Sequence, residues 1–94
     1  MKRETVGTRA VSLAMKEKRK FSLAVSEALM RFHRNDWGDV SDHDKKANDA
    51  DYKNRDGRVL AKYGTPEGSI YITLDFEVTD SGRDVETVMF CDEY

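Results

Sequence analysis

Two histidines and several aspartates flank the only tryptophan of the chain, and these side chains are the first candidates for chemistry. His33 and His43 lie on either side of the block at residues 36–39, DWGD. Imidazole and carboxylate groups together could exchange protons or hold a zinc ion. However, neither histidine has the i, i+4 partner of zinc motifs, and no nucleophile lies in a recognisable elbow. The dipole at a helix C-terminus explains a histidine at position 33, so we expect no catalytic residue.

The same stretch holds five aspartates that could gather near one helix start. They are Asp36, Asp39, Asp42, Asp44 and Asp49. Clustered carboxylates can bind a divalent cation, but this spacing does not match an EF-hand loop. Helix capping and the favourable helix dipole explain acidic residues at such a position equally well. We therefore expect no metal ion and no cofactor.

Trp37 has two possible roles. A tryptophan at a junction between helices can lock the corner by burying its ring, with the indole N–H bonded locally. A tryptophan beside arginine and aspartate is also typical of an interface hot spot. The structural role is favoured for the ring itself. The surface around it, formed by Arg34, Asp36, Trp37 and Asp39, is the predicted protein-interaction site.

Positive charge is concentrated in the first third of the chain. Residues 1–34 carry nine Lys and Arg against three Glu, a net charge of +6, whereas residues 35–94 have a net charge of −8. A chain divided in this way can meet an anionic partner at one end and a cationic one at the other. The candidates for contact with nucleic acid are Lys16, Lys18, Arg19 and Lys20. Ordinary solvated helix faces are the simpler explanation.

Hydrophobic spacing predicts three helices in residues 1–54. The first covers 9–19, after a possible N-cap at Thr8. The second, at 22–34, has an apolar stripe that Met30 could widen, formed by Phe21, Ala24, Val25, Ala28, Leu29 and Phe32. The third covers about 41–53, with Ser41 as N-cap, and its few apolar residues predict a peripheral helix.

The period changes to two after residue 57. Strands are predicted at 59–63, 69–77 and 85–91, separated by the turns TPEG and TDSGR. Helices followed by strands indicate an α+β fold. We therefore predict one domain at 1–94, with three N-terminal helices (1–54) packed on a three-stranded antiparallel β-meander (57–94).

Composition restricts the class of protein further. A single cysteine, Cys91, excludes an internal disulfide and a multi-cysteine zinc site. There is no run of about 18 apolar residues and no apolar signal core near Met1. We therefore expect a cytoplasmic protein that does not enter a membrane.

Four segments carry a resemblance to a known family. They are the block at 36–40 after His33, the segment DKKAND at 44–49, the strands at 58–63 and 70–73, and the tail at 88–94. In this order they resemble a family of small bacterial proteins from plasmids and prophages, often called plasmid-related proteins. The chain differs from that family in a longer 74–86 segment without Asp-Arg-Ser, and in Asn35 where glycine is common.

The resemblance implies a genomic setting, namely a mobile element, and no established chemistry. With it, the sequence predicts a non-enzymatic accessory protein that binds another protein. A counter-defence role as an anti-CRISPR or anti-restriction inhibitor is one version of this hypothesis. The alternative is a nucleic-acid-binding regulatory module that uses the basic N-terminal helices. A small hydrolase or nuclease using the Asp and His residues is a third hypothesis. The oligomeric state is not predicted.

Overall fold

The computed structural model describes residues 3–94. Its elements follow the order β1 (Arg3–Gly7), α1 (Arg9–Glu17), α2 (Arg19–His33), α3 (Asp42–Asn54), β2 (Arg58–Tyr63), β3 (Ile70–Asp75), β4 (Asp84–Phe90) and a final 3-10 turn, η1 (Cys91–Glu93). The helices occupy the middle of the chain, between the first strand and the other three. No helix in this described range has the length and apolar character needed to cross a membrane.

The four strands form one mixed sheet in the order β1-β4-β3-β2. Strands β2, β3 and β4 pair antiparallel, and β1 joins the sheet parallel to β4. The register of that parallel pair sets Arg3 opposite Asp84 and Thr5 opposite Glu86. The first residues of the chain and its last strand therefore meet at one edge of the sheet.

The predicted fold class is wrong in two respects. The sheet has four strands rather than three, and it is mixed rather than an antiparallel meander, because β1 adds a parallel strand. The segment predicted as purely helical consequently begins with a strand. Its sequence, RETVG, has only one apolar side chain, that of Val6, so a hydrophobic pattern could not reveal this strand. The three helices and the three strands that were predicted lie within a few residues of their predicted positions, whereas the final 3-10 turn was not predicted.

One face of the sheet is covered by helices, and the core lies between the two layers. The α2 side chains of Phe21, Val25, Ala28 and Phe32 are buried there, on the predicted stripe. The facing strand residues are Val59, Ala61, Tyr63, Ile70, Ile72, Leu74 and Val88. Because strand side chains alternate, Leu60, Tyr71 and Val85 point to the opposite face and are half-buried.

The outer edge of β2 is closed by two other parts of the chain. The amide of the buried Asn48, on α3, donates to the Leu60 carbonyl at 2.8 Å and accepts from the Leu60 N–H at 3.2 Å. Next along the edge, the Trp37 carbonyl accepts from the Lys62 N–H, and the Asp39 N–H donates to the Lys62 carbonyl. Helix α3 is thus peripheral, and it attaches through Asn48, whereas its alanines, Ala47 and Ala50, are exposed. An edge closed in this way offers no free ladder to another strand.

Candidate functional site

Trp37 lies inside the molecule, at the corner between α2 and α3. It is 3% exposed and packs edge-on against Phe32, with ring centroids 5.3 Å apart, and against Tyr52 at 6.1 Å. Its indole N–H donates to the Asp49 carboxylate at 2.9 Å. This is the structural role favoured by the sequence, and it leaves the tryptophan ring no free face for a partner.

Asp36 is committed to the same corner. Its carboxylate accepts two hydrogen bonds from the Arg31 guanidinium, at 2.8 and 3.3 Å, and one from the Gly38 N–H at 3.1 Å. These bonds from Arg31 hold the pKa of the Asp36 carboxyl below its usual value. The Arg31 guanidinium also lies over the Tyr63 ring, 5.1 Å from its centroid. The Tyr63 hydroxyl donates to the Asp36 carbonyl at 2.7 Å, and burial raises the pKa of that phenol.

Two of the predicted interaction residues, Arg34 and Asp39, differ from Asp36 and Trp37 because their side chains have no bonding partner in the described range. Arg34 is the C-cap of α2 and Asp39 follows the bridge to β2, and both are exposed. Neither side chain forms a hydrogen bond or ion pair with another described residue. Asp36 is also exposed, but its charge is paired with Arg31, so Arg34 and Asp39 are the two unpaired charges of the predicted surface, one of each sign.

A buried carboxylate on β4 forms the most polar site in the interior. Glu86 is completely buried, and three side chains contact its carboxylate. The Thr5 hydroxyl donates at 2.5 Å, His33 Nε2 lies at 2.7 and 3.0 Å from the two oxygens, and the Arg3 guanidinium donates at 3.1 Å. The histidine side chain is half-exposed, so it connects this buried carboxylate with the surface.

Glu86 was not among the predicted site residues, and the reason lies in the phase of its strand. The apolar residues Val85 and Met89 alternate in β4, and that pattern suggests that they face the core. In fact Asp84, Glu86 and Val88 face the helices. The available signal was the pair of acids at i and i+2 in a strand, which places both on one face.

Asp84 forms a second buried ion pair, next to Glu86 on the same face. The Arg55 guanidinium donates to both carboxylate oxygens, at 2.7 and 2.9 Å, and the Glu77 N–H donates to one of them at 3.0 Å. The Asp84 side chain is 4% exposed. Hydrogen bonding to Arg55 is the main cause that holds the pKa of the Asp84 carboxyl below its ordinary value of 3.8.

This lowered pKa predicts a pH-dependent contribution to stability. The unfolded chain binds a proton at Asp84 more readily than the folded chain does, so the ionised carboxylate stabilises the fold above pH 3.8. That contribution is lost as the pH falls through the lower, folded-state value. Urea unfolding of the wild type and Asp84→Asn should therefore differ most near about pH 7, and the difference should shrink towards about pH 3.

The matched control for this experiment is Asp80→Asn, at an exposed turn position. It should lie close to the wild type at both pH values, within about 0.5 kcal/mol. A stability difference for Asp84→Asn that stays constant across this pH range would show that the carboxylate's charge is not what stabilises the fold.

The aspartates and histidines considered for metal binding remain dispersed. Between residues 3 and 94, no three side chains of His, Cys, Asp or Glu lie close enough together to hold a metal ion. His33 is bound to Glu86, whereas His43 is exposed in the first turn of α3. Ser41 caps that helix by accepting from the Asp44 N–H at 3.1 Å.

The outward side of α2 carries a stripe of exposed residues at spacings of three and four. We call it the outer stripe, and it consists of Lys20, Leu23, Glu27, Met30 and Arg34. Leu23 is 55% exposed and Met30 60% exposed. A surface groove of about 220 Å³ lies beside Met30, between Glu27, Arg31 and Arg34. Leu23 and Met30 were not among the predicted site residues, although their i, i+7 spacing opposite the core stripe was a usable signal.

The basic residues proposed for nucleic-acid contact lie where α1 meets α2. Lys16 is in the last turn of α1, Lys18 links the two helices, and Arg19 and Lys20 begin α2. All four are exposed, and none forms an ion pair within the described part of the chain. Their charges are therefore free for an anionic partner.

Comparison with known proteins adds no further information about this site. No protein-family model, no curated protein and no solved structure matches the chain.

Proposed function

We propose that this protein is a non-enzymatic binding protein that docks a helix of another protein on the outer stripe of α2. The observation that carries the proposal is the exposure of Leu23 and Met30, two large apolar side chains two helical turns apart on one side of α2, with Glu27 between them. They lie opposite the α2 face that is already buried against the sheet. The helix is therefore apolar on two sides, of which the fold covers one.

The spacing of the outer stripe favours a helical partner. Leu23 and Met30 lie seven residues apart and so occupy one and the same heptad position, while the charged Lys20, Glu27 and Arg34 alternate with them at the other. The groove beside Met30 offers a space into which an apolar side chain of that partner can insert. Exposed leucine and methionine side chains would gain most from such a contact, since burial removes their apolar surface from water.

Charge favours an acidic partner. Lys20 and Arg34 stand at the two ends of the outer stripe, and Glu27 is its only acidic member. Arg34 also belongs to the surface predicted from the sequence, and Asp39 lies just beyond it. Complementary charges at the rim of an interface raise the association rate and fix the orientation of the partner.

The genomic setting implied by the family resemblance supplies a candidate class of partner. A host or element-encoded defence nuclease, such as a CRISPR effector or a restriction enzyme, would be such a protein. This part of the proposal rests on the resemblance alone, whereas the helix-docking surface rests on the geometry of α2.

A pull-down with matched variants tests the docking surface. We expect the wild-type protein to capture a specific acidic protein from lysate of its own source cells. Leu23→Glu and Met30→Glu should each weaken that complex about thirtyfold or more, because they place a charge in its apolar centre. The control is Val78→Glu, at an equally exposed apolar residue in the turn before β4, which should bind like the wild type. Equal capture by all four proteins would reject the outer stripe as the interface.

A second candidate function is binding to a nucleic-acid backbone, favoured by the four unpaired cations at the α1–α2 junction. Such binding would weaken steeply between about 50 and about 200 mM salt, since it depends on release of counterions. It would also be lost when Lys18, Arg19 and Lys20 are reversed in charge, but retained in Leu23→Glu. Gel shifts on DNA and RNA with these two variants therefore separate this candidate from the docking of a helix.

A further inference from the structure

A cavity of about 420 Å³ opens between the end of α3 and the edge of the sheet where β1 meets β4. It is lined by Arg3, Tyr52, Lys53, Arg55 and Asp84. Its volume is within the range of small-molecule sites, which is about 300–1,000 Å³. Three cations and one carboxylate line it, and with the buried Glu86 carboxylate that is bonded to Arg3 the group has a net charge of +1. The cavity is separate from the outer stripe of α2.

The two arginines of this cavity are held in fixed positions by buried acids. Arg55 is bonded at both terminal nitrogens to Asp84, and its guanidinium lies over the Phe76 ring at 5.0 Å. Arg3 is bonded through one nitrogen to Glu86. A guanidinium has five N–H donors, so both arginines keep donors free for a ligand. Because these groups are already oriented, a ligand would not have to order them.

The remaining groups add charge and a hydroxyl without being committed. The Lys53 ammonium and the Tyr52 hydroxyl form no hydrogen bond or ion pair with other residues of the described range. Asp84 does not present a free negative charge, because Arg55 and the Glu77 N–H occupy its carboxylate. Lys53 therefore supplies the unpaired positive charge of the cavity, beside two arginines that are paired with carboxylates.

The helix dipole does not explain this arrangement by itself. Cations are favourable at a helix C-terminus, and Lys53 and Arg55 end α3. Arg3 belongs to a different element, 50 residues away from Lys53 in the chain, and only the parallel pairing of β1 with β4 brings it to the cavity. Three cations that converge from two distant segments on one cavity indicate an anion site.

We propose that this cavity binds a phosphate group, either as free inorganic phosphate or as a small phosphomonoester. A phosphate carries about −1.5 to −2 charges near neutral pH and is therefore attracted to Lys53 and the two arginines more strongly than a carboxylate, which carries only one. Its three equivalent oxygens can accept bonds from arginine and lysine donors at the same time. The site would thus add a small-molecule ligand to a protein that binds its partner elsewhere.

Titration with inorganic phosphate at constant ionic strength, followed by amide NMR, tests the proposal. We expect saturable shifts for residues around Lys53 and Arg55, with no such response to chloride. Lys53→Ala should raise the phosphate Kd about tenfold, the loss of one charge-assisted contact. Lys53→Arg should restore binding. The matched control is Lys46→Ala, on the exposed first half of the same helix, which should bind like the wild type.

A second arm uses a nucleoside monophosphate to distinguish the two sources of phosphate. Tighter binding of the ester than of inorganic phosphate assigns the site to phosphomonoesters, and equal or weaker binding assigns it to the free ion. Absence of saturable shifts with both ligands would overturn the proposal. Equal weakening by Lys53→Ala and Lys46→Ala would also overturn it, because it would show unspecific attraction to the charge of α3.

Discussion

Replacing Gly38 by alanine is expected to destabilise the fold by about 4 kcal/mol or more, which is exceptional for the addition of one methyl group. Gly38 has a φ of +74°, a conformation that L residues rarely adopt. A Cβ atom at this position would collide with the Lys62 carbonyl oxygen and lie 2.8 Å from Cδ1 of Tyr63. Both obstacles belong to the closed edge of β2, so the turn could avoid them only by leaving that edge.

The matched control for this prediction is Gly82→Ala. Gly82 has nearly the same φ, +78°, but no atom lies within 4 Å of the position that its Cβ would occupy. This substitution should cost only the conformational strain, about 1–2 kcal/mol. Urea unfolding of the two variants measures the difference. If Gly38→Ala loses no more stability than Gly82→Ala, close packing of the turn on β2 is not important for the fold.

Trp37→Ala is the second substitution with a large expected effect, a loss of about 3–5 kcal/mol in the free energy of unfolding. The substitution removes the side chain that fills the corner between Phe32 on α2 and Tyr52 on α3. It also removes the donor to Asp49. The corner cannot collapse around alanine, because the segment after Trp37 is bonded to β2 on the other side.

Two aromatic variants control for this result. Trp37→Phe keeps a ring in the corner but loses the hydrogen bond to the exposed Asp49. The free energy of unfolding should fall by about 1 kcal/mol for the lost bond, plus part of the packing loss expected for Trp37→Ala. Tyr94→Ala removes an aromatic ring that is 64% exposed and should cost less than about 1 kcal/mol. Thermal or urea unfolding of the three variants should rank them accordingly. A Trp37→Ala variant as stable as Tyr94→Ala would contradict the anchoring role.

The elements that could be predicted from the sequence are those whose pattern is local. The core stripe of α2 and the alternation in β3 each depend on residues within one segment, and both lie in the core as expected. Ser41 could be recognised as an N-cap from its own neighbours. The same holds for Trp37, whose position between two helices was enough to suggest a corner.

The elements that escaped prediction depend on residues distant in the chain. Strand β1 has inward-facing Arg3 and Thr5, so it lacks an apolar face. It belongs to the sheet because Glu86 accepts from both of these side chains. The polar residues of β1 and the buried Glu86 of β4 can be understood only as a pair. The predicted fold class was therefore wrong at β1, a strand that is held in place by polar contacts rather than by burial of apolar surface.

The surface now proposed for a partner, the outer stripe of α2, differs from the one predicted around Trp37, and the reason is again the arrangement of distant residues. Its most conspicuous member, Trp37, lies in the core, and Asp36 is held by Arg31. The exposed pair Leu23 and Met30 lies in the same helix as the predicted core stripe, outside the six residues that form this stripe. Distinguishing one apolar side from two requires knowledge of which side the sheet covers.

The parallel pairing of β1 with β4 also has a consequence for the order in which the chain folds. The residues joined by the Thr5–Glu86 bond are 81 positions apart, whereas the helices and the β2-β3-β4 hairpins close over short stretches. Closing so long a loop costs more chain entropy, so the rest of the sheet should assemble before β1 docks. Until then, Glu86 has only His33 of its three side-chain partners. Docking of β1 is thus the step that completes the hydrogen bonds to the Glu86 carboxylate.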